Sequence, residues 1–177
     1  HIPIAGVALI PLLFGLPPIL YPIHIAFFEF IIDPAYSAVF ESYPGDKNLM
    51  KRKPRDINKA LFRGSNLAIA LLQGIVILIT TMLIYIVSFE LGFSEYTSRG
   101  MAFTSLVIGN LLLVLSNLSS NPIVSFTNIY INKAFIILCF VVIAVITTYL
   151  NNSFVQDLFK IESLNILQLL LVIITAI

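Results

Sequence analysis

The chain has 177 residues, of which 59% are apolar and 11% charged, and its formal net charge is +1. A water-soluble domain of this length does not need so apolar a composition, so we expect the lipid bilayer to be its solvent. The one cysteine, Cys139, lies inside an apolar stretch. This excludes a disulfide framework within the chain and a cysteine-based metal motif.

Six apolar segments follow one another along the chain. They cover residues 1–16, 19–40, 65–89, 101–118, 133–150 and 163–177. A helix needs roughly 20 residues to cross about 30 Å of hydrocarbon, and backbone groups in lipid must pair within the protein. The predicted fold is therefore all-α, a polytopic transmembrane helical bundle with about six membrane segments.

The two ends of the chain both lie inside apolar runs. The sequence begins at His1 without an initiator methionine, and neither a basic flank nor a small-residue cleavage site marks a secretory signal in the first 20 residues. We expect residues 1–177 to be a fragment of a longer protein.

The first two segments are joined by Gly15-Leu16-Pro17-Pro18. So short and proline-rich a connection predicts a tight antiparallel hairpin, because proline fixes the backbone and cannot continue a helix.

Two acids lie inside the second segment, where an ionisable group costs roughly 2.5–3.5 kcal/mol on insertion scales. Glu29 and Asp33 are four residues apart, which brings both carboxylates onto one helical face. Pro34 lacks the amide hydrogen that would pair with the Phe30 carbonyl. Carboxylates beside freed carbonyls predict a cation site, or a proton site, since like charges raise one pKa. The alternative is a structural network with neighbouring helices.

The loop 41–64 between the second and third segments is basic. It holds seven of the ten lysines and arginines: Lys47, Lys51, Arg52, Lys53, Arg55, Lys59 and Arg63. Positive loops stay cytoplasmic, so this loop is placed inside, where it determines topology and can also contact anionic lipid or a cytosolic domain. Alternation then puts loops 90–99 and 151–162 outside and loop 119–132 inside.

Three further polar residues are candidates of lower specificity. Spacing alone favours a structural role for His1, an interfacial role for His24 and helix packing or an oxygen ligand for Asn110. The sequence contains no nucleophile–base arrangement and no nucleotide motif, so we expect no catalytic residues and no ATP hydrolysis by this segment alone.

The residues from Gly15-Leu16-Pro17 through Pro22-Ile23-His24 and the stretch Pro44-Gly45-Asp46 to Met50-Lys51-Arg52-Lys53-Pro54-Arg55 resemble a known family. It is the C-terminal transmembrane region of P-type cation-transporting ATPases, of the calcium-pump and sodium-pump branch, in a bacterial-like form. The resemblance covers essentially the whole chain. It implies that residues 1–177 form one domain, running from the end of the fifth family helix through the tenth.

The resemblance also implies a ligand set. The calcium pump's sixth helix has Asn, Thr and Asp where this chain has Glu29, Ile32 and Asp33, so the acid pair is closer to the proton/potassium pumps. His1 and Ile4 stand where the family's fifth helix has Asn and Glu.

Asn110 occupies the place of a calcium-pump Glu in the eighth helix, which keeps an oxygen but loses a charge. Together these departures imply one cation site rather than two. We expect it to contain Glu29 and Asp33, with contributions from Asn110 and His1.

The family implies that the whole protein is an ion-translocating ATPase, with ATP and Mg²⁺ bound in domains outside this chain. The expected partners are the lipid bilayer and the phosphorylation, nucleotide-binding and actuator domains of the same protein, without nucleic acid. The transported cation is Ca²⁺ or another, and the expected location is the bacterial plasma membrane. A secondary transporter or channel and a structural membrane module are the alternative functions.

Overall fold

The computed structural model describes residues 1–42, 64–118 and 133–176. In chain order its helices are α1 (Ile2–Leu13), α2 (Pro22–Phe27), a π-helical turn (Phe28–Ile32), α3 (Asp33–Glu41), α4 (Gly64–Glu90), α5 (Glu95–Leu118), α6 (Lys133–Asn151), α7 (Ser153–Phe159) and α8 (Ile166–Ala176). The described residues form helices and turns without a strand. This confirms the predicted all-α bundle.

Four helical segments of the described chain are long and apolar enough to cross a membrane. They are Pro22–Glu41, Leu67–Glu90, Glu95–Asn117 and Lys133–Asn151, with 20, 24, 23 and 19 residues. The first joins α2, the π-helical turn and α3 into one continuous span. The first and last predicted segments also form apolar helices, but α1 and α8 are shorter, with 12 and 11 residues.

The central helix of the bundle is α5. Of its most apolar stretch, 61% is buried inside the protein, against 22–28% for the other three spans. It packs against α4, α6 and α8, and its Phe103, Leu106 and Val107 belong to the main apolar core. Asn110 is therefore carried by the one span that is mostly enclosed by protein.

The predicted hairpin occupies residues 14–21 and is confirmed. Gly15 has φ of +69°, a left-handed conformation that favours glycine, and the Leu16 amide donates to the Pro11 carbonyl at 2.8 Å. This reverses the chain, so that the start of α1 comes to lie beside the middle of the second span.

The prediction that residues 90–99 form a loop is wrong for its second half, because α5 begins at Glu95 rather than Met101. Ser94 caps this helix by accepting a hydrogen bond from the Thr97 amide at 3.1 Å. The polar first turn looked like loop sequence. It is helical because Arg99 is buried against partners from other segments.

Two more helix starts depend on amide side chains. Asn152 caps α7 by accepting from the amides of Phe154 and Val155, which produces a short helix inside the predicted loop 151–162. The Asn165 amide donates to Gln168 Oε1 at 2.8 Å and the Gln168 amide donates to Asn165 Oδ1 at 2.9 Å, so α8 begins at Ile166.

The end of the bundle that contains residues 14–21, 91–94 and 160–165 is called the hairpin end below. Arg99 donates to the carbonyls of Pro18 and Lys160, so these connections lie together, as alternation along the chain requires. Most of the basic loop 41–64 and all of loop 119–132 lie outside the described residues. Their cytoplasmic placement stays a prediction.

Candidate cation-binding site

The local backbone around the two acids is a π-helical turn. The Asp33 amide donates to the Phe28 carbonyl, five residues back, and Pro34 has no amide hydrogen. The Glu29 carbonyl therefore loses its α-helical donor, Asp33, and its π-helical donor, Pro34. The Phe30 carbonyl loses its α-helical donor as well. The π-helical turn therefore adds the Glu29 carbonyl to the expectation that Pro34 leaves the Phe30 carbonyl without its α-helical donor.

Three of the four predicted ligands lie together. His1 Nδ1 is 3.4 Å from Glu29 Oε1, and His1 Nε2 is 3.7 Å from Asp33 Oδ2. One ligand atom from each residue can be chosen so that all three lie within 4.8 Å of one another. An imidazole binds one ion through only one of its nitrogens, so the 4.8 Å limit is the separation that applies to a shared ion. Ligands that are each about 2.0–2.5 Å from one ion stand about 3–4 Å apart, so small side-chain movements would bring these three into range.

The fourth predicted ligand, Asn110, faces the same space from α5. It lines a cavity of about 220 Å³ together with His1, Asp33 and Tyr36. Its Nδ2 donates to the Leu106 carbonyl at 2.9 Å, which leaves Oδ1 as the atom that can bind a cation. The Tyr36 hydroxyl is buried and has no hydrogen-bond partner within the described part of the chain.

Three larger grooves, of about 340 to 410 Å³, are lined mainly by apolar side chains, and none of their described lining residues is a carboxylate or an imidazole. The small cavity is chemically the better candidate, because a hard cation requires charged or carbonyl oxygens.

The acid pair is open on one side. The side chains of His1, Glu29 and Asp33 are 72, 47 and 34% exposed, and Phe30 on the same turn is 81% exposed. Bare carboxylates facing lipid would be costly, so this face requires a ligand or a further part of the protein.

A family profile described as "Cation transporting ATPase, C-terminus" matches residues 17–177. The chain belongs to this family. It is therefore a multi-pass integral membrane segment from the C-terminal region of a P-type cation-transporting ATPase, as the resemblance indicated. The profile includes the acid pair, the π-helical turn and Asn110, while His1 precedes the matched residues.

Two calcium-transporting ATPases are similar to this chain. One, from Yarrowia lipolytica, is 27% identical over 158 residues, which is 88% of this chain and 17% of that protein. Another, from Listeria monocytogenes, is 30% identical over 99 residues, which is 54% of this chain and 11% of that protein. The chain thus spans less than a fifth of the relatives it matches.

His24 is fully buried inside this ATPase segment, and its interfacial role stays a prediction. Its Nδ1 accepts from the Tyr21 amide at 2.9 Å, and its ring packs on Phe103 and Phe159 with centroids 5.0 and 5.2 Å away. The described structure thus gives it a structural place at the start of α2.

Sequence reasoning missed Arg99, which is fully buried at the hairpin end. Glu95 lies one helical turn before it and forms an ion pair with it. A charged pair at this spacing just before an apolar run was the available signal, because buried arginines need a partner.

Proposed function

We propose that this chain is the ion-pathway portion of an ATP-driven cation pump. Its role would be to bind one cation between helices and to couple the movement of that cation to ATP hydrolysis elsewhere in the same protein. The observation that carries the proposal is the convergence of His1, Glu29 and Asp33, of which His1 and Asp33 line a cavity together with Asn110. Family membership supports pumping over the alternative functions, a secondary transporter or channel and a structural membrane module.

The ligand chemistry favours a hard cation. Two carboxylates, an amide oxygen and the freed carbonyl of Glu29 provide oxygen ligands, and His1 adds a nitrogen. Ca²⁺ prefers six to eight oxygens, so water or further residues would complete its shell. The names of both relatives make Ca²⁺ the first cation to test. The competing occupant is a proton, held where His1 bridges the two acids.

The remainder of the proposal concerns the whole protein. Phosphorylation, nucleotide-binding and actuator domains would use ATP and Mg²⁺, and further membrane helices would cover the open face of the acid pair. The protein would lie in a bacterial plasma membrane with loop 41–64 on the cytoplasmic side. The gene region that precedes the His1 codon should encode an Asp-Lys-Thr-Gly phosphorylation motif, and its absence would refute the ATPase mechanism.

The functional experiment measures cation-stimulated ATPase activity of the full-length protein over a panel of cations and pH values. We expect Glu29→Gln and Asp33→Asn each to abolish stimulation. Glu41→Gln is the matched control, because it makes the same chemical change at the end of the same continuous helix, outside the group formed by His1, Glu29 and Asp33. Unchanged cation dependence in both site variants would refute the site. Equal losses in all three variants would assign the effect to folding.

A further inference from the structure

The hairpin after α1 contains two backbone carbonyls that are bound by buried side chains from other helices. The Tyr85 hydroxyl on α4 donates to the Pro17 carbonyl at 2.9 Å, and Arg99 Nε on α5 donates to the Pro18 carbonyl at 3.0 Å. Both donors are fully buried. The hairpin is therefore attached to the bundle through hydrogen bonds as well as apolar packing.

Arg99 makes more connections than Tyr85. Its Nη1 donates to the Lys160 carbonyl at 2.6 Å, its Nη2 pairs with Glu95, and its guanidinium lies 4.7 Å from the centroid of the Tyr21 ring. A guanidinium is a planar fork with fixed donor directions, so these partners define its orientation closely. Arg99 thus joins the hairpin, the start of α5 and the turn after α7 at one point.

Arg99 and its partner Pro18 lie at similar chain distances from the two sides of the candidate site. Glu29 and Asp33 are eleven and fifteen positions after Pro18, and Asn110 is eleven positions after Arg99. Both segments run from the hairpin end toward the cavity, where Asp33 and Asn110 line the same space. Moving a helix along its axis by the rise of one residue displaces its side chains by about 1.5 Å. This is more than the positions of cation ligands tolerate.

We propose that Arg99 is a positioning residue for the cation site. By fixing the hairpin against the start of α5, it sets the register of the second span against α5 and keeps Asn110 opposite Asp33. This inference rests on the proposed function, because it assigns to Arg99 a role in cation affinity.

The test compares Arg99→Lys with Tyr85→Phe in the full-length protein. Arg99→Lys retains the charge but loses the fork, and we expect the cation concentration for half-maximal ATPase stimulation to rise by about 5-fold or more, with the maximal rate within about 2-fold. Tyr85→Phe removes a hydrogen bond to the same hairpin. Tyr85 lies on α4, and α4 carries no candidate ligand. We expect it to lower thermal stability without changing cation affinity.

A double variant separates positioning from general damage. Because Arg99 acts through the placement of Asn110, Arg99→Lys in an Asn110→Ala background should cause little further loss of affinity. If the affinity losses of the two single variants multiply fully in the double variant, or if Arg99→Lys alone has unchanged affinity, the inference is overturned.

Should Arg99→Lys fail to accumulate, Glu95→Ala is the milder variant, since it retains both hydrogen bonds from Arg99 to the backbone carbonyls. We then expect about a 2-fold loss of affinity, and no loss would refute the inference.

Glu29→Gln distinguishes failure of the proposed function from failure of the role assigned to Arg99. If it and Asp33→Asn both leave the cation dependence unchanged, the proposed function fails. If it abolishes the dependence while Arg99→Lys has wild-type affinity, only the positioning role of Arg99 is wrong.

Discussion

Replacing Pro34 by alanine tests whether the π-helical turn contributes to the cation site. Alanine restores an amide that can donate to the Glu29 carbonyl or, in α-helical geometry, to the Phe30 carbonyl. A net hydrogen bond in a protein stabilises by about 0.5–1.5 kcal/mol, and one that occupies the lone pair directed at the cation competes with binding by up to that amount. The apparent cation affinity should therefore fall, by up to about 2- to 13-fold, while the protein becomes more stable to heat.

Pro11→Ala is the matched control, because Pro11 also lies inside a helix, α1, but toward the hairpin end rather than beside the carboxylates. Its restored amide would pair with the Val7 carbonyl. The assay is cation-stimulated ATPase activity of the full-length protein, together with its thermal unfolding in detergent. Unchanged affinity in a stable Pro34→Ala protein, or equal affinity losses in both proline variants, would refute the role assigned to the freed carbonyls.

Two predictions concern stability away from the site. Hydrogen bonds from two hydroxyls at the start of α5 hold the pKa of Glu162 below its ordinary value of 4.5. The stabilisation that these hydrogen bonds provide is present above pH 4.5 and is lost as the pH falls through the lowered pKa. The thermal unfolding temperature should therefore fall more steeply between about pH 6 and pH 3 in the wild type than in Glu162→Gln. Parallel curves of unfolding temperature against pH would refute this. A Cβ at Gly6 would lie 2.6 Å from two carbons of Leu78, whereas one at Gly74 meets nothing closer than 3.4 Å. The two carbons are the terminal methyls of Leu78, which can move out of their rotamer at a cost of about 0.5–1.5 kcal/mol. Gly6→Ala should therefore be less stable than Gly74→Ala by about that amount, and adding Leu78→Ala should recover part of the difference. Equal stabilities would contradict the close packing of α1 on α4.

The membrane segments could be predicted because hydrophobicity and length determine them directly. The hairpin was predictable for a similar local reason, since Pro17 and Pro18 cannot continue a helix. The starts of α5 and α8 were not, because they depend on whether particular side chains cap a backbone amide or find a buried partner. Ser94 and Asn165 do so in the folded chain, where tertiary contacts decide the boundary.

The candidate site was predictable in part. The spacing of Glu29 and Asp33 placed both acids on one face, and the resemblance added His1 and Asn110 from other helices. The π-helical turn was not predicted, because a four-residue spacing was interpreted as ordinary α-helix. Arg99 was missed because its partners at Pro18 and Lys160 are backbone carbonyls from distant segments, which no local pattern reveals.

The central claim is that one cation binds through Glu29 and Asp33. Its most direct test is equilibrium binding to the purified full-length protein without ATP, with Ca²⁺ as the first ion and other cations in parallel. We expect about one cation per molecule in the wild type, the same in Glu41→Gln, and none in a Glu29→Gln/Asp33→Asn double variant that remains folded. Wild-type stoichiometry and affinity in the double variant would contradict the claim.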